Sequence, residues 1–280
     1  MGRNIVKAKL DIIFKRLFAD ERNSDILHAF ISDILDIPYD SINKIAIQNP
    51  ELIPYGADEK FSRLDLKLEV NDKLINVEMQ INDDGYFRDR ALYYWSRLFT
   101  SELKEGENYS LLKQSISINI INFNMFECTD FHSAFVIMEE NRHELLSDKC
   151  AIHFFELKKI NKKPNPSNKK ELWMQLINAE SEEELEMLSD TKVPAIEKAV
   201  NVIIDMSNDS KIREEARIRE KALHDKATAL KTATDRGIAE GMKIGMKKGR
   251  AEGRAEGIAE IIAKLRAKGF TEDEIQEFLK

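Results

Sequence analysis

The chain has 280 residues, 42% hydrophobic and 33% charged, enough for one sizeable domain with an appendage or for two small domains. Its net charge of −7 argues against a purely electrostatic, histone-like nucleic-acid binder, though not against a nuclease, whose acidic site a metal can neutralise locally. The first residues lack a signal-type apolar run, no apolar run nears the ~20 residues that span a bilayer, and the two cysteines form no CxxC pair, so the expectation is a cytoplasmic chain with free thiols, no structural zinc and no membrane partner.

The charge is uneven along the chain. Residues 211–280 carry 17 Lys/Arg and 13 Asp/Glu, so the tail is net basic and residues 1–210 hold a net −11. The charged fraction exceeds the usual quarter, which suggests long exposed helices beside a globule.

In chain order, Ile5, Ile12, Ile13 and Leu17, with Phe14 and Phe18, recur at helical spacing and predict a helix over 5–18. A second helix is expected from Ser24, as N-cap, to about Leu35, and Pro38, Pro50 and Pro54 then mark a looser connection. The period next changes to two. Arg63 to Val70 alternates polar and apolar residues, and so does Ile75 to Gln80, with turn chemistry at Asn71-Asp72 between them. Both runs predict half-buried strands. Tyr86 to Lys104 predicts an aromatic-rich helix, and Gln114–Phe123, His132–Glu139 and Ala151–Lys158 predict three more strands. A polar, proline-containing stretch at 161–168 marks a boundary. Short apolar-faced helices are expected over Lys169–Ala179, Glu182–Leu188 and Pro194–Met206, then a long charged helix from Ser210. Within that helix Gly237, Gly241, Gly245, Gly249, Gly253 and Gly257 recur every fourth residue, and Thr271 to Glu274 make a capping box ahead of Ile275, Phe278 and Leu279.

The chemistry gathers in the first hairpin. Asp65, Lys67 and Glu69 share one strand face, and Asn76, Glu78 and Gln80 share a face of the next. A two-residue turn at Asn71-Asp72 sets Asp65 opposite Glu78; a slip to Asp72-Lys73 sets it opposite Gln80. Either register brings two carboxylates to within roughly 5–8 Å at Cβ. Like charges that close are kept by sharing a proton, by pairing with cations or by binding a metal. Oxygen donors in a partly open site suit Mg²⁺, which supports phosphodiester hydrolysis. A solvated strand face, with Lys67 paired to Glu69 or Glu78 for at most about 1 kcal/mol, has the same spacing.

Further motifs accompany that hairpin. The N-terminal run Lys9-Leu-Asp11-Ile-Ile-Phe14-Lys15-Arg-Leu-Phe18, then Arg63-Leu-Asp65, Asn76-Val-Glu78-Met-Gln80, and Arg90-Ala-Leu-Tyr93-Tyr94-Trp95-Ser96 with Gly106 and Tyr109, stand in consistent order over roughly residues 5–160. Together they resemble the recombination-promoting nuclease/transposase-like family of the PD-(D/E)XK nuclease superfamily. The resemblance implies an α/β, restriction-endonuclease-like core with a mixed sheet of four or five strands, followed by a helical C-terminal region. The divisions expected are a nuclease domain at 1–160, a linker with short helices at 161–210 and the helical tail at 211–280.

The resemblance also implies a Mg²⁺-dependent DNA endonuclease, transposase-like and connected with recombination, with Mn²⁺ or Ca²⁺ able to replace Mg²⁺. Asp65 and Glu78 would hold the metal, with the backbone carbonyl of Met79 as a further ligand, and Gln80 would complete the catalytic set. Gln80 stands where most of the superfamily has lysine, so it can orient a water through its amide but brings no charge. Asp11 is a candidate third acid or a partner of Lys7 or Lys15. Lys67 and Arg90 are accessory candidates, Arg90 toward phosphate or Glu78, while Tyr93 and Tyr94 suit core packing more than base stacking. Two other functions stay open: a catalytically degenerate DNA-binding module of the same fold, and an assembly protein working through its tail. The glycine stripe suits homo-oligomer formation by close backbone approach, and equally a frayed helix without a role.

Five histidines without paired spacing exclude a zinc hydrolase pattern, and there is no Walker loop or dinucleotide glycine fingerprint.

Overall fold

A computed structural model describes residues 5–48, 51–52, 62–63, 65–101 and 103–278, with the backbone alone at 51–52, 62–63 and 277. Leu64 in the first predicted strand, Pro50, Pro54 and Leu279 lie outside the described residues. The chain divides into two compact units, 1–221 and 222–280.

In the first unit the helix expected from Ile5 begins only at Asp11. Helix α1 is Asp11–Phe18, with Leu10 as an extended N-cap. Residues 5–10 are non-helical, and Ile5, Val6, Ala8 and Leu10 are all buried rather than one stripe of them. The reason is a contact no local pattern reveals: the Val6 N–H donates to Ser207 Oγ, 201 residues away, at 3.0 Å. Helix α2 is Ser24–Leu35, ended by Asp36 in the left-handed conformation. Next come β1 (Ile45–Gln48), the two-residue pair β2 (Glu51–Leu52) and β3 (Ser62–Arg63), β4 (Leu66–Val70) and β5 (Lys73–Gln80). Helix α3 is Phe87–Thr100, followed by β6 (Gln114–Ile121), β7 (His132–Phe135) and β8 (Cys150–Glu156). Strand β7 stops four residues short of its predicted end. Helices α4 (Lys169–Asn178), α5 (Glu182–Ser189) and α6 (Pro194–Asn208) lead to α7 (Ser210–Ala267).

The main sheet has six strands rather than four or five, in the order β1-β4-β5-β6-β8-β7. It is mixed: β5, β6 and β8 run parallel, and β1-β4, β4-β5 and β7-β8 are antiparallel. The extra strand is β1, a short edge whose four residues carry too little alternation to stand out.

Strands β4 and β5 are not half-buried. Leu74, Asn76 and Glu78 face α3, where Leu98 and Tyr94 pack on Leu74, and Phe87 and Ala91 pack on Ile121, Ile152 and Phe154. On the other face Ile75, Val77, Ile116, Ile118 and Ile120 are also buried. A central strand of a mixed sheet is covered on both sides, so its polar residues go into the interior with its apolar ones.

The short helices expected within 161–210 are α4, α5 and α6, and they lie in the first unit. Trp173 of α4 is fully buried against Phe18 and Phe30, with ring centroids 6.0 and 5.5 Å apart, and its indole N–H donates to Asp33 at 2.9 Å.

In the second unit α7 continues to Ala267, and α8 is Glu272–Phe278. Glu274 makes its half of the expected capping box at α8, accepting from the Thr271 N–H and Oγ1 at 2.8 and 2.7 Å.

Candidate active site

The β4–β5 hairpin turns at Asn71-Asp72, with pairs Leu66↔Val77, Lys67↔Asn76 and Val70↔Lys73. That is the first of the two registers, and its continuation sets Asp65 against Glu78. Asp65 itself lies in a bend just before β4. Its N–H donates to Glu78 Oε1 at 3.2 Å, and its Oδ2 accepts the Met79 N–H at 3.0 Å. Two reciprocal side-chain-to-backbone bonds therefore continue the ladder beyond the last strand pair. They lock the two carboxylates side by side.

The electrostatics follow from burial. Glu78 is 8% exposed. Burial first, and the Asp65 charge second, push its carboxyl well above the usual carboxylate range; the Asp65 N–H and the Arg90 charge oppose the rise. Asp65 Oδ1 pairs with Lys15 Nζ at 3.1 Å, from α1. Tyr94 stands close enough to Glu78 that burial, and then the Glu78 charge, raise its phenol. It therefore belongs both to the packing against Leu74 and to the site.

The remaining expected residues divide. The Gln80 amide points along its own chain, donating to the Asn82 carbonyl at 2.6 Å. Arg90 pairs with Asp84 and lies over the Phe87 ring at 4.8 Å, so it touches Glu78 only through its field. Lys67 is buried on the Asp65 side of the hairpin, opposite Asn76. Glu69 is engaged elsewhere, by Gln48 at 2.8 Å and Lys113 at 3.0 Å. Asp11 pairs with neither Lys7 nor Lys15. Arg219 of α7 grips both its oxygens, at 2.7 and 2.8 Å. The Asp65 charge also favours the Arg219 guanidinium. Arg219 carries no local signal in the sequence, because it lies 208 positions from Asp11 on a polar helix. Nor does any spacing show that Lys15 reaches Asp65 rather than Asp11.

The donor set fits a hard divalent cation. It offers carboxylate oxygens from Asp65 and Glu78. In a strand the N–H and C=O of one residue point to the same neighbour, so the Met79 carbonyl faces the Asp65 side with its N–H. Among the described residues no three His, Cys, Asp or Glu side chains form a metal-holding group. Such a sparse set suits Mg²⁺, which keeps several waters and uses one or two carboxylates. It does not suit a structural zinc.

No helix among the described residues is long and apolar enough to cross a membrane. No curated protein and no solved structure matches the chain. A family model described as PD-(D/E)XK nuclease family transposase matches residues 8–233, from before α1 into α7, and takes in the hairpin, Arg219 and the mixed sheet alike. The chain belongs to the PD-(D/E)XK nuclease family transposases.

Proposed function

We propose that the chain is a metal-dependent DNA endonuclease that hydrolyses phosphodiester bonds, with Asp65, Glu78 and the Met79 carbonyl holding Mg²⁺ and a role in recombination. The observation that carries the reading is the Asp65–Glu78 pair. Two carboxylates are locked together, one of them buried, at a register the whole hairpin serves. Two carboxylates held this close keep a proton or gather cations around them, and groups perturbed in this way concentrate at functional sites. The bound ion would supply an activated water and stabilise charge on the scissile phosphate. Asp65 and Glu78 would hold it, and Gln80 would orient a water through its amide once that amide leaves Asn82. Arg90 and Tyr94, flanking Glu78, set the local charge and exclude bulk water from that side.

The experiment is plasmid nicking and linearisation with Mg²⁺, with EDTA, and with Asp65→Asn and Glu78→Gln proteins. Cutting that needs metal and falls at least about 100-fold in both variants supports the reading. Cutting that persists in both would remove this site from consideration. The bond of Gln80 to Asn82 favours one other reading, a degenerate module that grips DNA without cutting it. Metal-independent DNA binding by a wild type that never cuts would establish that reading instead. The glycine-striped helix is the part of the chain suited to forming a homo-oligomer.

A further inference from the structure

The site carries two acids and lacks the lysine that normally follows the second of them. Gln80 occupies that position, uncharged and turned to Asn82. A cation nevertheless reaches the pair from a different element. Lys15 Nζ lies 3.1 Å from Asp65 Oδ1, while Asp65 Oδ2 is taken by the Met79 N–H. Lys15 therefore takes the Asp65 oxygen that the hairpin backbone leaves open. Its side chain is 36% exposed, against 19% for Asp65, so the ammonium borders both the site and solvent.

Its element is held in place. Ile13, Phe14, Leu17 and Phe18 bury one face of α1, with Phe14 and Phe18 ring centroids 4.8 Å apart. Asp11, one turn before Lys15 and so on its face, is clamped by Arg219 through both oxygens. Arg16 is tied to Glu215 at 2.6 Å. Helix α1 is pinned on both faces while the Lys15 side chain keeps four rotatable bonds. A fixed helix with a flexible lysine lets the charge change partners without moving the backbone.

We infer that Lys15 is a catalytic residue of this site, supplying from α1 the cation that Gln80 cannot supply from β5. The inference rests on the nuclease reading above. When DNA enters, Lys15 leaves Asp65 Oδ1 for a non-bridging oxygen of the scissile phosphate and donates to it. Water oxygen bonds to phosphorus as the bond to the leaving sugar oxygen breaks. The water's proton passes to solvent, the leaving oxygen takes one from solvent, and Lys15 keeps its own. Its contribution is charge and position at the phosphate, stronger as negative charge builds there.

The test uses the full chain as wild type, Lys15→Met, the Lys15→Met/Gln80→Lys double variant, and Lys198→Met, a lysine paired with Asp25 away from the site. Single-turnover cleavage with Mg²⁺ is measured alongside DNA affinity in Ca²⁺ and the rise in melting temperature caused by Mn²⁺ alone. The expectation for Lys15→Met is a cleavage rate down about 100-fold, DNA affinity changed less than about threefold, and a Mn²⁺ shift at least as large as wild type. The double variant should regain at least about tenfold, and Lys198→Met should match wild type. A Lys15→Met rate within about threefold of wild type overturns the inference and leaves the nuclease reading standing. So does a slow Lys15→Met protein that has lost its fold or its Mn²⁺ shift, since the lysine is then structural. A double variant as slow as Lys15→Met refutes the equivalence with the missing lysine. A wild type inert with every divalent ion fails the nuclease reading itself, and this inference with it.

Discussion

Glu78 carries a second consequence, in stability. Burial and the Asp65 charge push its carboxyl from the ordinary 4.5 up to about 8. Between those values the folded chain holds a proton that the unfolded chain has released. Stability therefore falls as pH rises through that window, and the loss is complete above about 8. Glu78→Gln keeps the side chain's shape and cannot ionise. In EDTA at pH 8.5 the Gln variant should melt several degrees above wild type, a gain on the order of a few kcal/mol, and the gap should close near pH 5. Saturating Mg²⁺ should narrow the gap at pH 8.5 by stabilising wild type alone. Thermal melts across pH 5–9 decide it, and a wild-type curve that tracks the variant at every pH would show that Glu78 is ionised without cost.

At the scale of elements, the β4–β5 turn fixes the register on which the site depends. Asn71 adopts a φ of 52° in the left-handed region, and its side chain does more than tolerate the turn. Its Oδ1 accepts from the Asn43 and Lys44 N–H groups at 2.9 and 3.3 Å, and its Nδ2 donates to the Ser41 carbonyl at 3.0 Å. The hairpin is thus tied to the segment that enters β1. Asn71→Ala loses the bonds and keeps the backbone cost, so about 2 kcal/mol or more of stability should go, seen as a lower urea midpoint at constant slope. Asn71→Gly relieves the backbone and should cost about half as much. A Gly variant more stable than wild type would mean that backbone strain outweighs the three bonds. This hairpin was legible in the sequence because its period, its turn residues and its charged face all agree. So were α2, α4 to α7, β6 and β8, whose signals are local. The sequence could not tell the two registers apart, because turn chemistry at Asn71-Asp72-Lys73 permits both; the three Asn71 bonds decide between them. Nor did it reveal β1, the non-helical Ile5–Leu10, the burial of Asn76 and Glu78 under α3, or the Asp11–Arg219 pair. Each of these depends on a partner far away in the chain, and strand alternation reads the same whether a polar face meets water or a helix.

At the scale of the molecule, the compact division at Lys221 cuts through the expected tail. The first turns of α7 serve the first unit: Glu215, Arg219 and Glu220 pair with Arg16, Asp11 and Lys7 of the N-terminal segment. Beyond Lys221 the described residues of the helix are almost all exposed. A Cβ added at any of Gly237 to Gly257 would meet nothing within 4 Å, and Ile238, Met242 and Met246, each following one of these glycines, are exposed. Six glycines cost a helix about 1 kcal/mol each against alanine, a load that a second copy packed on the small-residue stripe can offset. Light scattering should then give the full chain at least twice its 32.3 kDa, and a chain ending at Lys221 its monomer mass. The shortened chain should keep its melting temperature and its single-turnover cleavage rate, whereas one ending at Asp209 should lose stability and at least about tenfold in rate as α1 loses its ties to Glu215 and Arg219. Gly241→Ala with Gly245→Ala separates propensity from contact. Alanine raises helix content either way, but it weakens association only if two backbones approach at the stripe. Full-length protein of monomer mass would end the assembly reading, and a chain ending at Asp209 that cuts like wild type would show that α7 is dispensable to the site.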